Sequence, residues 1–306
     1  MPRPRLLTPA EWGINNRTSF VTCAAGEFVV RVYLNAGALA SIHFEHALLL
    51  HLAGRRLSFA TPVPERTIAG DTIAHDPDGH SAVLFRRIPG VHLQGTDDGP
   101  LRAVGTAFAE LDEALAATLD IGVAPPSFDG DLARIHAQVP DLGSLPELDP
   151  VTGDEVAAAA RDAEPLYASL PRQIVHGDFA FGNALFVDRR VTAILDFEFA
   201  GLDLRAMDLA AACYILTARY HGSTSWRPFV EAYVARLPLT DTEAAAIPAL
   251  MSLHAAVDLV HWLGRSRAGP AIPARVAEVA ARLHEVRGWR AHHGAELVDV
   301  VRRDSA

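Results

Sequence analysis

Short apolar runs that are bounded by polar and turn-forming residues predict β-strands in the first third of the chain. Residues 19–22, 28–33 and 81–85 are rich in β-branched or aromatic side chains, and turn-forming residues bound them. Between these strands, apolar residues recur with the spacing of an α-helix over residues 39–53, and Gly54 ends this helix. The pattern therefore predicts an N-terminal sheet accompanied by one helix.

Beyond about residue 100 the apolar spacing becomes mostly helical. A stretch rich in proline, glycine and aspartate over residues 121–150 predicts a long connection. The helix predicted after this connection contains Pro165, which is expected to kink or split it. The longest apolar run, near residues 210–218, fits a buried helix and is shorter than the roughly 20 residues that span a bilayer. The predicted helices cover residues 101–119, 156–170, 208–219, 226–236, 242–265 and 271–284.

A second strand pattern interrupts the helical part and carries polar residues at its ends. Residues 184–187 and 191–195 read as two strands joined by a polar turn. Asn183 stands where the first of these strands begins, and Asp196 stands where the second one ends. An antiparallel hairpin places those two positions side by side, with Asp178 in the loop just before it.

These polar residues suggest a particular chemistry. One carboxylate and one amide oxygen at the mouth of a hairpin suit Mg²⁺, which takes few protein ligands together with phosphate and water. Glu198 points to the same side of an extended segment as Asp196, so it is either a ligand of a second metal or its water, or a solvent-facing side chain. Asp178, free of the metal, can orient a hydroxyl and accept its proton, which phosphoryl transfer requires.

Each of these residues also has an ordinary structural explanation. Asp178 and Asn183 can cap turns, since short polar side chains accept local backbone hydrogen bonds. Asp196 can end a strand or cap a helix. The combination in one ordered pattern favours the catalytic interpretation.

A charged residue lies in the middle of the strand at residues 28–33. Arg31 is flanked by valines, and a charge in an apolar strand is costly without a partner. Glu45, on the flank of the predicted helix at residues 39–53, is within reach of that strand. A structural salt bridge is one explanation of the pair, and a binding site for an anion is the other.

The run from Val175 to Ala210, VHGDFAFGNALFVDRRVTAILDFEFAGLDLRAMDLA, resembles the catalytic core of the aminoglycoside phosphotransferase and choline kinase superfamily. Within it the closest similarity is to the homoserine-kinase-like branch. The resemblance rests on three motifs, which are H-G-D-x-x-x-x-N, the later D-x-E, and D-L-A at residues 208–210. The resemblance implies an α+β, bilobal, protein-kinase-like fold. Its N-terminal nucleotide-binding lobe, residues 1–88, would hold an antiparallel sheet and one helix, and its mostly helical catalytic and acceptor-binding lobe would cover residues 89–306.

The resemblance also assigns roles. Asp178 corresponds to the catalytic base, and His176 and Asp208 to residues that support its loop. Arg31 corresponds to the phosphate-binding lysine, and Glu45 to its helix partner.

The resemblance also implies roles in metal and nucleotide binding for other residues. Asn183, Asp196 and Glu198 correspond to the metal ligands. Arg87 and Ile88 fall in the hinge that contacts adenine. Residues 13–18 correspond to the loop over the phosphates, although they lack the G-x-G-x-x-G pattern.

The implied function is an ATP- or GTP- and Mg²⁺-dependent transfer of the γ-phosphate to a hydroxyl of a small molecule. The acceptor stays open between an antibiotic (an aminoglycoside or a nucleoside antibiotic, which would make this an antibiotic-resistance enzyme), an amino alcohol such as homoserine, choline, and a sugar. A catalytically silent nucleotide-binding regulator is the alternative. A two-metal phosphohydrolase would need more clustered ligands, and a protein kinase would carry D-F-G and A-P-E landmarks, which are absent from the sequence.

Composition sets further limits. The chain has 306 residues, 50% of them hydrophobic, and a formal net charge of −10, which argues against nucleic acid as a partner because phosphate binding needs clustered Lys and Arg. Cys23 and Cys213 are too few and too far apart for a disulfide framework, and the N-terminus shows no secretory signal. We therefore expect a cytoplasmic protein without membrane or nucleic-acid partners. Nothing in the sequence indicates its oligomeric state.

Overall fold

The chain divides into two compact units, which are described separately. The first unit comprises residues 1–93, 118–126 and 183–199, and the second comprises residues 94–117, 127–182 and 200–306. A computed structural model describes residues 6–9, 16–34, 39–76, 78–92, 97–118, 120–143, 145–219, 226–269 and 271–303.

The first unit contains a five-stranded antiparallel sheet. Its spatial order is β1-β2-β3-β5-β4, and the three predicted strands correspond to β2, β3 and β5. The helix α1 has the predicted bounds and buries Phe44, Leu48 and Leu52. The elements are β1 (Leu6–Pro9), β2 (Asn16–Cys23), β3 (Gly26–Tyr33), α1 (Leu39–Ala53), β4 (Ala74–His75) and β5 (Ser81–Arg86). The short strands β1 and β4 were not predicted.

The predicted hairpin belongs to the same unit. β7 (Ala184–Val187) pairs antiparallel with β8 (Arg190–Ile194). The two turn residues Asp188 and Arg189 have positive φ angles of 49° and 62°, as hairpin turns that match the strand twist require.

The hairpin is attached to the segment that follows β5. Val91 and Phe186 exchange backbone hydrogen bonds of 3.0 and 2.9 Å. Gly90 has a φ of 149°, and a Cβ there would lie 2.8 Å from the Leu185 Cβ, so only glycine lets the two segments approach this closely. Thr192 donates a further hydrogen bond to the Pro89 carbonyl at 3.3 Å.

The second unit is mostly helical, with one small antiparallel pair formed by β6 (Arg172–Val175) and β9 (Gly201–Leu204). The predicted connection over residues 121–150 contains one short 3₁₀ turn, Leu132–Arg134. The helices are α2 (Asp98–Ala116), α3 (Pro150–Ser169), α4 (Met207–Arg219), α5 (Trp226–Val234), α6 (Asp241–Ala268) and α7 (Pro273–Arg303).

Two helix predictions need correction. α3 runs through Pro165 without splitting. α7 continues to Arg303 rather than ending at residue 284, because Trp289, Leu297 and Val301 bury an apolar stripe along its second half. Glycines and paired histidines in that half dilute the apolar pattern in the sequence.

The longest apolar helix among the described residues is α6, rather than the helix near residues 210–218. Among the described residues, α6 is long and apolar enough to cross a bilayer by length and composition. Within this fold, 61% of its most apolar window is buried, as in the central helix of a packed core.

The predicted α+β class, with an N-terminal antiparallel sheet and a helical C-terminal part, is confirmed. The predicted lobe boundary between residues 88 and 89 stays a prediction. It differs from the compact units mainly in the place of residues 183–199, which cluster with the first unit.

Candidate active site

Arg31 is the centre of a charged cluster in the first unit. Its side chain leaves β3 and contacts two carboxylates, Glu45 on α1 at 3.2 Å and Asp196 after β8 at 3.1 Å. The partner suggested by the sequence is therefore in place, and Asp196 joins it. Burial lowers the pKa of Arg31, but the charges of Asp196 and Glu45 outweigh burial and raise it overall. The guanidinium is thus a fixed positive charge.

Glu45 is held from two sides. Its second oxygen accepts a hydrogen bond from the Tyr33 hydroxyl at 2.8 Å, and the residue is only 2% exposed. Burial raises the pKa of Glu45 to about 7, although Arg31 and Tyr33 both favour the ionised form. Two carboxylates, Glu45 on α1 and Asp196 after β8, therefore hold the Arg31 side chain in place.

A hydrogen-bonded chain supports Glu45 from behind. The Tyr33 hydroxyl also lies 3.2 Å from His46 Nε2, and His46 Nδ1 lies 2.8 Å from the Thr72 hydroxyl. Burial lowers the pKa of His46 to about 4, so the ring is neutral. Sequence reasoning missed Tyr33, although it projects from the same side of the strand as Arg31.

The predicted metal ligands lie at and just beyond the open end of the hairpin. The Leu195 N–H donates to the Asn183 carbonyl at 2.8 Å, so Asn183 lies beside the end of β8. Asp196 follows with a φ of 70° and a side chain that is 34% exposed. Glu198 accepts a hydrogen bond from the Asn16 side chain at the start of β2. Residues 13–15 of the predicted phosphate loop lie outside the described residues.

This donor set fits Mg²⁺. It offers two carboxylates and one amide oxygen, all hard ligands, which suits an ion that retains water and phosphate oxygens. Arg31 donates a hydrogen bond to Oδ1 of Asp196, and the Asn16 side chain donates one to Oε2 of Glu198. Asp76, Asp78 and His80 form another potential metal-binding group among the described residues. Asp76 already accepts the Asp78 and His80 amides, so local turn formation accounts for that group.

The predicted hinge residues have different surroundings. The Arg87 N–H donates to the Glu27 carbonyl at 3.0 Å, and its guanidinium pairs with the Glu27 carboxylate at 3.1 Å. Pro89 has no N–H. The Ile88 N–H donates no hydrogen bond within the described part of the chain.

In the second unit, Asp208 fixes the loop that carries Asp178. Asp208 lies at the start of α4 and is fully buried. One of its oxygens accepts the His176 N–H at 2.6 Å, and the other accepts the Gly177 N–H at 2.9 Å. A carboxylate that accepts two amide hydrogen bonds sets the direction in which the chain leaves β6.

His176 and the backbone of the loop complete this arrangement. The His176 ring is fully buried against Phe108 and Phe179, and its Nδ1 accepts the Asp178 N–H at 3.3 Å. The Asp178 carbonyl accepts the Ala180 N–H at 2.8 Å. These hydrogen bonds fix the backbone of Asp178. The residue is half-buried and therefore partly accessible to solvent.

We expect Asp208→Ala to lower kcat by about a hundredfold, because small misplacements of a catalytic group carry losses of that size. Two buried amides would also lose their acceptor, which destabilises by about 1–3 kcal/mol for each unsatisfied group. Steady-state kinetics and thermal unfolding measure the two effects. Full turnover with an unchanged melting temperature would refute the supporting role of Asp208.

Asp203 and Arg205, which lie close together in sequence, do not pair with each other. Asp203 accepts the Tyr167 hydroxyl at 2.8 Å, and burial raises the pKa of Asp203 to about 6. Arg205 pairs with the Glu243 carboxylate through its Nε and Nη2 groups. Both residues are accounted for by packing within the second unit.

An antiparallel sheet with a strand cation paired to a helix carboxylate, and a loop of sequence HGD fixed by a buried aspartate, define the class of protein-kinase-like phosphotransferases. Residues 7–247 match the phosphotransferase enzyme family, and the chain belongs to that family. The resemblance predicted from the motifs is confirmed, together with the class of small-molecule kinases.

Individual relatives agree with this assignment. The homoserine kinase of Methylobacterium nodulans is 29% identical over 248 residues, which cover 78% of this chain and 74% of that protein. Among solved structures, an amicoumacin kinase with AMP-PNP and Ca²⁺ superposes with a TM-score of 0.71 at 13% identity, over 94% of this chain and 89% of that one. A microcompartment-associated aminopropanol kinase gives 0.71 at 18% identity, over 97% and 93%. At these identities the two structures support the fold.

Proposed function

We propose that this protein is an ATP- or GTP- and Mg²⁺-dependent kinase that transfers the γ-phosphate to a hydroxyl group of a small amine-bearing molecule. The observation that carries the proposal is the position of Arg31 between Glu45 and Asp196. A cation suited to phosphate and a carboxylate suited to metal meet there, as phosphoryl transfer requires.

Asp178 acts on the acceptor. Its carboxylate accepts a hydrogen bond from the acceptor hydroxyl and takes the proton as the oxygen forms its bond to the γ-phosphorus. The bond between that phosphorus and the bridging oxygen breaks, and the nucleoside diphosphate leaves. In a loose transition state this carboxylate contributes mainly by positioning, and the hydrogen bonds from the loop to Asp208 serve that purpose.

The first unit binds the nucleotide. Arg31 contacts its phosphates, because a guanidinium binds phosphate oxygens in pairs. The Ile88 N–H and the neighbouring backbone receive the edge of the base. Asn183, Asp196 and Glu198 hold the metal, and bound Mg²⁺ neutralises charge on the β- and γ-phosphates. Asn16 links the start of β2 to Glu198 and orients that carboxylate.

An amino alcohol or hydroxylated amino acid is the acceptor class that we favour over an antibiotic. The curated relative acts, by its name, on homoserine, and the solved aminopropanol kinase acts, by its name, on an amino alcohol. The net charge of −10 attracts cationic acceptors through the overall field. Both cysteines are free thiols, which supports a reducing compartment such as the cytoplasm.

The test is release of nucleoside diphosphate with Mg²⁺, using ATP and GTP separately. The acceptors are homoserine, 1-amino-2-propanol, choline, an aminoglycoside, a nucleoside antibiotic and a simple sugar. We expect one amino alcohol or hydroxylated amino acid to give a kcat/KM at least about tenfold above the others, the value of one lost binding contact of about 1.4 kcal/mol.

Each other outcome has a definite meaning. An aminoglycoside or nucleoside antibiotic as the preferred acceptor would keep the kinase and overturn the proposed acceptor class. Nucleotide binding without turnover on any acceptor would favour a regulatory nucleotide-binding protein of the same fold.

A further inference from the structure

A second buried carboxyl group lies beneath the loop that carries Asp178. Asp112 projects from α2 into the core of the second unit and has no exposed surface. One of its carboxyl oxygens accepts the Tyr233 hydroxyl from α5, and its carbonyl accepts the Gln173 side chain at 3.3 Å. The other carboxyl oxygen, Oδ1, is buried, and no hydrogen-bond partner is found for it in the described part of the chain.

The carboxyl group of Asp112 is a neighbour of the Asp208 carboxyl group. The two lie within hydrogen-bonding reach of each other, and both residues are fully buried. Two buried carboxylates in contact cannot both be ionised at moderate cost. Burial, the charge of Asp208 and a hydrogen bond to it raise the pKa of Asp112 well above its ordinary range, and they outweigh the Tyr233 hydroxyl and the charge of Arg205, which lower it.

The surroundings decide which group holds the shared proton. Both oxygens of Asp208 accept backbone N–H groups, whereas Oδ1 of Asp112 accepts none in the described part of the chain. Arg205 acts on Asp112 by its charge, but its Nε and Nη2 groups bind the buried carboxylate of Glu243. The proton therefore belongs on Asp112. The other charged or titratable groups that act on the pair are Tyr233, Arg205 with Glu243, Asp203, His176 and the buried His254, whose pKa burial lowers.

We propose that Asp112 is a protonated positioning residue, whose carboxylic O–H donates a hydrogen bond to Asp208 and so orients the carboxylate that fixes the catalytic loop. The part of this inference that concerns turnover rests on the proposed kinase function. The shared proton rests only on the buried pair. Asp112 acts through Asp208 and touches neither nucleotide nor acceptor.

The shared proton makes stability depend on pH in a defined direction. Above about pH 4 an aspartate in the unfolded chain loses its proton, whereas folded Asp112 keeps it. The folded state then binds one more proton than the unfolded state, so the free energy of unfolding falls as the pH rises. Asp112→Asn removes this dependence, because its amide donates to Asp208 without any proton to lose and its oxygen still faces Tyr233.

The first measurement is thermal unfolding of the wild type and Asp112→Asn between about pH 5 and about pH 9. We expect the melting temperature of the variant, relative to the wild type, to rise steadily with pH. Glu113→Gln is the matched control, because it makes the same change at the next residue, where the carboxylate pairs with Arg236 near the surface. A parallel course for Asp112→Asn and Glu113→Gln would overturn the shared proton, whether or not the protein is a kinase.

The second measurement is turnover at neutral pH. Asp112→Asn should keep kcat within about threefold of the wild type, whereas Asp112→Ala should lower kcat by at least about tenfold with little change in the nucleotide KM. If Asp112 had only a structural role, Asp112→Ala would change kcat and KM together. Asp112→Asn would then not restore kcat. Equal losses of kcat in the two variants, with the pH course as expected, would overturn the positioning role and leave the shared proton intact.

Discussion

Asp178→Asn is expected to lower kcat by about two to four orders of magnitude, the range over which a positioned acid or base contributes. The amide oxygen can still orient the acceptor hydroxyl, but it cannot take the proton that phosphoryl transfer releases. Asp178 is half-buried, and its backbone provides the hydrogen bonds of the loop, so we expect the fold to be unaffected. Nucleotide affinity and melting temperature should stay near wild-type values, while steady-state release of nucleoside diphosphate shows the loss.

Asp188→Asn is the matched control for this prediction. It makes the same change at an exposed turn between β7 and β8, and should leave turnover unchanged. Asp178→Ala should lose at least as much as Asp178→Asn, because alanine can neither orient the hydroxyl nor accept its proton. Retention of kcat within about tenfold in both Asp178 variants would exclude Asp178 as the base and require another carboxylate.

Local features of the site could be predicted from the sequence because they depend on contiguous residues. Two apolar runs on either side of a polar turn predict the hairpin, and its pairing, which has an irregularity between Leu185 and Phe186, places Asn183 beside the end of β8. The helix at residues 39–53 has its predicted bounds because a complete apolar stripe ends at a glycine. Arg31 and Glu45 were paired by a similar local argument, since a strand charge needs a partner nearby.

The remaining contacts depend on tertiary packing, which one sequence does not encode in any local pattern. Arg31 and Asp196 are 165 positions apart in the chain, and nothing near either residue indicates the other. Asp112 gave a usable signal, since it is a carboxylate on the apolar face of a predicted helix. Only the folded chain identifies Asp208 and Tyr233 as its neighbours. The strand β9 was not predicted, because its four residues include a glycine and an aspartate, which are disfavoured in strands.

In both units a buried carboxyl group bonded to a tyrosine hydroxyl lies beside a residue of the site. In the first unit a buried carboxyl group, Glu45, accepts a tyrosine hydroxyl and faces Arg31. In the second unit a buried carboxyl group, Asp112, accepts a tyrosine hydroxyl and faces Asp208. Burial raises the pKa of both carboxyl groups. In each unit a buried carboxyl group bonded to a tyrosine hydroxyl therefore supports a residue of the site, Arg31 in the first unit and Asp208 in the second.

Asp196→Asn is expected to raise the Mg²⁺ concentration for half-maximal turnover by at least about tenfold and to lower kcat by about a hundredfold, because a metal ligand loses its charge. Asparagine is the appropriate replacement, since Asp196 has a left-handed backbone that asparagine tolerates and alanine does not. Turnover is measured across a Mg²⁺ titration at fixed nucleotide. Glu198→Gln, measured in parallel, makes the same chemical change and shows whether a second carboxylate also holds metal.

The titration separates two roles of Asp196, because this carboxylate also contacts Arg31 at 3.1 Å. Loss of a metal ligand shifts the Mg²⁺ requirement, and part of the lost rate returns at high Mg²⁺. Loss of the ion pair alone would lower kcat equally at every Mg²⁺ concentration, because the position of Arg31 does not depend on the metal supply. A reduced kcat with an unchanged Mg²⁺ requirement would therefore exclude Asp196 as a ligand and assign its effect to Arg31.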